Sequence, residues 1–256
     1  MDVRILGAHS VESAEAGFTS ILFDGILALE AGSLTSRLSL AEQRNLKAIV
    51  LTHQHYDHIR DIPAICMSFF HMGKTLDVYA PAPVHDVLYS HLINDVIYPD
   101  YTQKPVKKPT LNLHLLKPGK KRMIAGYDVL PVPVKHAVPA VGYQVTSPDG
   151  KKVFYTSDTG PGLEDVWRQI SPDVLLIELT LPSSKEKFAL ETGHMTPVLL
   201  QKELASFKSI KGYLPKVVLL HLDPFIETQM KTEIAPVEKA LGIKLPFSYE
   251  GMVVTV

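Results

Sequence analysis

Six consecutive residues, His53-Gln54-His55-Tyr56-Asp57-His58, follow directly on an apolar run, Leu46 to Thr52, that reads as a buried strand. Imidazoles and a carboxylate crowded this tightly repel one another and compete for water once protonated. A divalent metal favours neutral imidazole and ionised carboxylate, and so draws them together. Side chains two apart in an extended segment face the same way, so His53 and His55 can grip one ion while Asp57 and His58, past the bend, reach a second. The plain alternative is an exposed polar loop that happens to be rich in histidine.

The rest of the chain bounds what such a site can serve. At 256 residues with 46% hydrophobic content it can bury a substantial core. A net charge of -1 argues against a chain built to coat nucleic acid or an anionic membrane. The one cysteine, Cys66, lies in the apolar run Ile62 to Phe70, where a buried, inert thiol is expected and a reducing, cytoplasmic compartment fits. The opening Met1 to Gly7 reads as a first strand rather than a leader, and no stretch reaches the ~18 apolar residues of a membrane span.

No linker, repeat or shift of composition divides the sequence, so residues 1–256 are expected to form a single domain. Early strands are predicted at Asp2 to Leu6, Ser20 to Phe23 and Ile26 to Glu30, with a hairpin turn at Asp24-Gly25. Asp61 is expected to cap a helix with Pro63 in its first turn, running through Ile65 and Phe69, and a second helix is expected over Val84 to Asn94. Later strands are predicted at Val129 to Val134, Val141 to Val145, Lys152 to Tyr155, Val174 to Ile177 and Val217 to Leu220, with helices at Pro197 to Phe207 and Ile234 to Leu241. The pattern is a layered α/β or α+β domain. Tyr101 to Tyr127 carries seven lysines and arginines but no acid, and reads as a solvated hairpin or as a patch that steers anions.

His53, His136, Asp158 and His221 each follow a predicted strand, and strand ends converge on one sheet edge where loops carry chemistry. Seven donors divide naturally: His53, His55 and His136 on one ion, Asp57, His58 and His221 on the other, and Asp158 bridging both. Each ion keeps room for solvent, which marks a catalytic rather than a structural site. Imidazole with carboxylate suits two divalent ions, zinc first, with manganese or iron as alternatives.

These residues resemble the metallo-β-lactamase fold superfamily: its His-x-His-x-Asp-His run, later His, later Asp and final His occur in order over nearly the whole chain. The resemblance is closer to class II cyclic-nucleotide phosphodiesterases and ribonuclease Z, on Ala31-Gly32-Ser33-Leu34-Thr35, His91 to Asp100, Glu178 in IELTLP, and Gly193-His194-Met195-Thr196-Pro197. It implies a four-layer αβ/βα sandwich with the metals at one edge and Asp158 as the bridge. Tyr56 stands where the class II signature usually has Leu, and Asp61 where it usually has a small residue.

The resemblance also implies that His194, paired with Glu178, donates the proton to the leaving oxygen of a phosphodiester, a role for which a carboxylate beside an imidazole suits it. Its plain alternative is a helix-cap region with Thr192 or Thr196 as cap. Asp57 is read as a metal ligand that can also contact the nucleophile. His9, His71, His85, His91 and His114 are expected to be ordinary histidines. The reading that follows is a dinuclear metal hydrolase of a small anionic phosphodiester, cyclic nucleotides foremost. The alternatives are a tRNA 3′-end endonuclease, a thioester or lactone hydrolase, and a non-catalytic metal-binding protein. Because no long inserted arm of the RNA-processing kind is evident, a small substrate is favoured over nucleic acid; oligomeric state is left open.

Overall fold

Strand-to-strand turns set the frame of the molecule, which a computed structural model describes over residues 1–256. The chain opens with β1 (Asp2–Gly7), β2 (Ser20–Phe23) and β3 (Leu27–Leu29). Asp24 and Gly25 turn between the last two, with φ of 45° and 73°, the left-handed pair that matches hairpin twist. Short helices α1 (Leu34–Arg37) and α2 (Leu40–Asn45) follow, the second opened by a reciprocal capping box between Ser39 and Glu42. Then come β4 (Ala48–Val50), α3 (Tyr56–Ile59), α4 (Ile62–His71), β5 (Leu76–Ala80), α5 (Ala82–Val87) and β6 (Leu111–Leu115).

The second half begins with the antiparallel strands β7 (Arg122–Ile124), β8 (Tyr127–Val134), β9 (Ala140–Thr146) and β10 (Lys152–Tyr155). Next come α6 (Glu164–Gln169), β11 (Val174–Glu178), α7 (Glu186–Thr192), α8 (Pro197–Lys211), β12 (Lys216–Leu220), α9 (Glu227–Leu241) and β13 (Val253–Thr255). One sheet has the order β13-β1-β2-β3-β4-β5-β6, the other β12-β11-β10-β9-β8-β7. β11 pairs in parallel on both sides and is buried along its whole length, which is why its sequence, VLLIE, is apolar up to its last residue rather than alternating.

Three apolar clusters define the layers. The first, with Ile5, Leu29, Tyr143 and Leu176, lies between the facing sheets; the second packs α4 on the first sheet through Ile62, Ile65 and Phe69; the third packs α6 and α8 on the second through Trp167, Leu204 and Phe207. Helix, sheet, sheet, helix is the four-layer αβ/βα sandwich.

Several local expectations need correction. Asp61 does not cap α4: its backbone is helical, and its carboxylate accepts hydrogen bonds from Thr35 N (2.7 Å), Thr35 Oγ1 (2.8 Å) and Arg60 Nε (3.0 Å). Its charge ties α1 to the start of α4. The expected helix Val84 to Asn94 is α5 followed by a π-helical turn, Leu88–Leu92. α9 starts seven residues before Ile234 and runs through Pro236. The basic stretch is not a hairpin either. β6 extends the first sheet and β7 edges the second, so the chain crosses between layers there. Its charges are partly spent locally: Lys104 pairs with Asp95, Lys108 Nζ donates to Gly73 O at 2.6 Å, and Arg122 lies 4.9 Å from the Tyr79 ring centre.

Candidate metal and proton-transfer site

β4, β8, β10, β11 and β12 all end at one edge, and each carries a predicted site residue at its last position or in the chain leaving it. Three non-glycine residues there adopt left-handed backbone: Glu30 (φ 64°) after β3, Ser157 (φ 62°) after β10 and His221 (φ 55°) after β12. Such conformations cost on the order of 1–3 kcal/mol each and persist where surrounding structure enforces them, typically at functional sites.

The predicted donors come together in two groups. Nitrogen and oxygen atoms of His53, His55, His136 and Asp158 lie within 4.8 Å of one another, as do those of Asp57, His58, Asp158 and His221. Asp158 is buried and shared. Its Oδ2 is 3.8 Å from His53 Nε2, 4.0 Å from His136 Nε2 and 3.3 Å from His221 Nε2, while Oδ1 is 3.4 Å from His58 Nε2.

Outward hydrogen bonds decide which ring nitrogens carry protons. His136 Nδ1 lies 2.9 Å from Gly193 O, an acceptor only, so this nitrogen holds the hydrogen and Nε2 presents a lone pair. Thr52 Oγ1 donates to the buried Glu30 carboxylate, and its oxygen therefore accepts from His53 Nδ1 at 2.9 Å. Thr180 Oγ1 likewise donates to Glu178 Oε2 (2.7 Å) and accepts from His221 Nδ1 (2.8 Å). The inward Nε2 atoms of His53, His136 and His221 are thus all bare. Two of them converge on His55 Nδ1 at 3.1 Å, and the third faces Asp57 Oδ2 at 3.2 Å.

Bare imidazole nitrogens aimed at carboxylates and at the His55 ring in a buried pocket call for positive charge among them, and the donor set is one that divalent metal takes. His58 makes the same demand. It is fully buried, 3.3 Å from Glu30 Oε1 and 3.4 Å from Asp57 Oδ2, yet neither ring nitrogen is aligned for a hydrogen bond, and Asp158 Oδ1 has no hydrogen-bond partner. Burial opposes charge on His58, but the carboxylates of Asp158, Asp57 and Glu30 hold it well above the usual imidazole range. Burial and neighbouring imidazoles push His53, His55 and His136 down, leaving them neutral as ligands must be. Asp57 and Asp158 are held below the usual carboxylate range by His58 and His221, which outweigh burial.

Beside these groups lies a second device. His194 Nδ1 is 2.8 Å from Oε1 of the buried Glu178, whose oxygens also accept from Thr159 N, Thr180 Oγ1 and Met195 N. Burial works against the charged imidazole, yet Glu178 raises His194 to about 9. The His194 ring stacks 5.7 Å from His221 and meets His136 edge-on at 5.0 Å, so it stands against both donor groups. Gly193 makes this possible: at φ 72°, a Cβ on it would lie 2.6 Å from His136 Cα. Thr196 does cap α8, accepting from Leu199 N at 3.3 Å, so the cap and the His–Glu pair coexist.

Residues 19–222 match the family described as the beta-lactamase superfamily domain. The chain belongs to the beta-lactamase superfamily. Its structural neighbours within the metallo-β-lactamase fold include unliganded yeast PDE1, with a TM-score of 0.83 and 17% identity over 100% of this chain and 99% of that one. The short form of human tRNase Z has a TM-score of 0.69 and 20% identity, covering 100% and 99%. Among sequence relatives, 3',5'-cyclic-nucleotide phosphodiesterase 1 of Saccharomyces cerevisiae is 24% identical over 78% of this chain and 65% of its own length. A probable 3',5'-cyclic-nucleotide phosphodiesterase of Yersinia pestis is 26% identical, covering 71% and 58%. The chain therefore spans about three-fifths of the length of these two. Ribonuclease Z of Methanothermobacter thermautotrophicus is 27% identical over 87% of this chain and 86% of its length.

Four residues of the site escaped sequence reasoning: Glu30, Thr52, Ser157 and Thr180, all buried. Glu30 alone left a trace, an acid at the end of an apolar strand. The other histidines stay outside. His9 Nδ1 meets Glu250 at 2.8 Å, His114 Nε2 meets Asp77 at 2.8 Å, His85 faces His114 O at 3.2 Å, and His71 and His91 are exposed. No helix is long and apolar enough to cross a membrane.

Proposed function

We propose that the chain is a single hydrolase domain that uses two divalent ions, zinc first, to cleave small phosphodiesters such as cyclic nucleotides. His53, His55 and His136 would hold one ion, Asp57, His58 and His221 the other, with Asp158 between them. A metal pair bound there would supply an acidified water and neutralise charge on the non-bridging oxygens.

The chain's own groups do the rest. Thr52, Thr180 and the Gly193 carbonyl hold three imidazoles with Nε2 inward. Asp57, partly exposed beside His221, borders the space where the attacking water must lie. His194 keeps its Nδ1 hydrogen on Glu178 and turns Nε2 toward the leaving oxygen. A group with a pKa of about 9 carries its proton at neutral pH, and the carboxylate behind it supports recharging after transfer.

One observation carries this reading: the Glu178–His194 pair set against both donor groups. Ester hydrolysis at a carbonyl with a good leaving group needs no such acid; an alkoxide leaving from phosphorus does. The relatives named as cyclic-nucleotide phosphodiesterases support the substrate class. The 86% coverage of a ribonuclease Z favours, as second reading, cleavage of RNA. A panel of cyclic mononucleotides, linear dinucleotides, precursor tRNA, thioesters and lactones tests both. Turnover of small diesters is expected, and turnover of thioesters or lactones alone would overturn the phosphodiesterase reading.

A further inference from the structure

Next to the candidate centre, on the same sheet edge, a cavity of about 410 Å³ opens between the two sheets. Its wall on one side is the chain on either side of His136: Val134 and Ala140, which pair across the base of that loop, and Val141, whose N–H reaches Thr52 O at 3.4 Å. On the other side stand the segments leaving β5 and β6. β5 runs parallel to β4 in the register Val50↔Tyr79, so the residues after β5 flank the His53 segment that leaves β4.

Five prolines, Pro81, Pro83, Pro118, Pro133 and Pro139, form much of the lining, and the one polar side chain among the rest is Lys117. Proline has no N–H, so these walls offer few donors to the carbonyls and ring nitrogens of a nucleobase, whose buried polar edge would go unpaired. The rings are rigid and apolar, and the volume falls within the range of small-molecule sites. Lys117 is exposed, and its charge suits a ligand whose anionic part lies outside the cavity.

We propose that this cavity is a substrate subsite for an apolar ester group, an aromatic ring or a short alkyl chain, on a diester whose phosphate lies at the metal centre. The assignment rests on the phosphodiesterase reading and, within its small diesters, turns the preference from cyclic nucleotides to diesters with one hydrogen-bond-poor arm. Lys117 meets the phosphate charge, the prolines receive the arm, and the loop carrying His136 joins the two.

The test compares methyl and benzyl p-nitrophenyl phosphate, which share a leaving group, on the metal-supplemented full chain. Burial of the benzyl group should raise kcat/KM about tenfold or more over methyl. Ala82→Trp, at an exposed position of the lining, should erase that preference by lowering the benzyl rate far more than the methyl rate; Leu115→Glu should lower the benzyl rate selectively. Without added metal, saturation-transfer NMR of benzyl methyl phosphate should show the ring protons contacting the wild-type chain and losing contact in Ala82→Trp. Equal wild-type rates, a preference that survives both variants, or a greater gain for thymidine 5′-p-nitrophenyl phosphate than for benzyl would overturn the subsite while leaving the diesterase reading intact. Failure to cleave any diester would overturn both.

Discussion

The Thr180 hydroxyl lies 2.8 Å from His221 Nδ1 and passes its own hydrogen to Glu178, so one side chain orients a candidate ligand and props the carboxylate behind His194. Thr52 repeats the device between Glu30 and His53. Thr180→Val keeps the shape and removes both bonds. It should cost 10–100-fold in metal affinity or activity, the usual scale for groups behind ligands, with circular dichroism unchanged. Wild-type metal affinity and kcat in Thr180→Val would mean that His221 is oriented by packing alone.

His194→Ala should slow diesters with alkoxide leaving groups about 100-fold or more, and p-nitrophenyl esters far less, because nitrophenolate departs without a proton. Glu178→Gln should show the same split, with some added loss of stability because Glu178 is buried and fully bonded. Equal losses on both substrate classes would remove the general-acid role.

Gly193→Ala places a methyl group 2.6 Å from His136 Cα at a left-handed position. The strain should cost about 1–3 kcal/mol of stability and displace either His136 or His194. Activity is expected to fall more than this destabilisation explains at temperatures where the variant is fully folded. A variant with normal activity would show that the loop accommodates a side chain without moving the site.

Glu250 accepts from His9 and from Ala8 and Gly17 N–H, fastening the loop after β1 that pairs with Leu222, the residue after His221. Burial alone would raise its pKa, but these bonds bring it to about 2 against an ordinary 4.5. A depressed carboxylate contributes stability that is present above its unfolded value and lost as pH falls through the folded one. His9 has the opposite sign: Glu250 and Glu227 overcome burial and raise it, so its contribution is full below 6.5 and lost as pH climbs past its folded value. Glu250→Gln should therefore lower the melting temperature at pH 6, and its gap from wild type should shrink below about pH 4. A gap of constant size from pH 3 to pH 7 would contradict the linkage.

How much of this was legible beforehand follows from where the information sits. The contiguous run from His53 to His58 announces itself, because residues fixed two or three apart share a face whatever the tertiary fold. His136, Asp158 and His221 were placed by a weaker regularity, each following an apolar strand. Their meeting depends on sheet order, which periodicity does not encode. Glu178 and His194 were legible only through family resemblance. Thr52, Ser157 and Thr180 had no signal, since their hydroxyls bond Glu30, Thr52 and His221 across 22, 105 and 41 residues and leave no spacing pattern. Asp61 misled because a turn-start acid looks the same whether it caps its own helix or reaches back to Thr35.

The central claim is that two cation positions share Asp158. Elemental analysis of protein purified without chelator, wild type beside Asp158→Ala, tests it directly. Close to two divalent ions per wild-type chain, with both diminished in the variant, is the predicted result. One ion in the wild type, or two retained in Asp158→Ala, would contradict it.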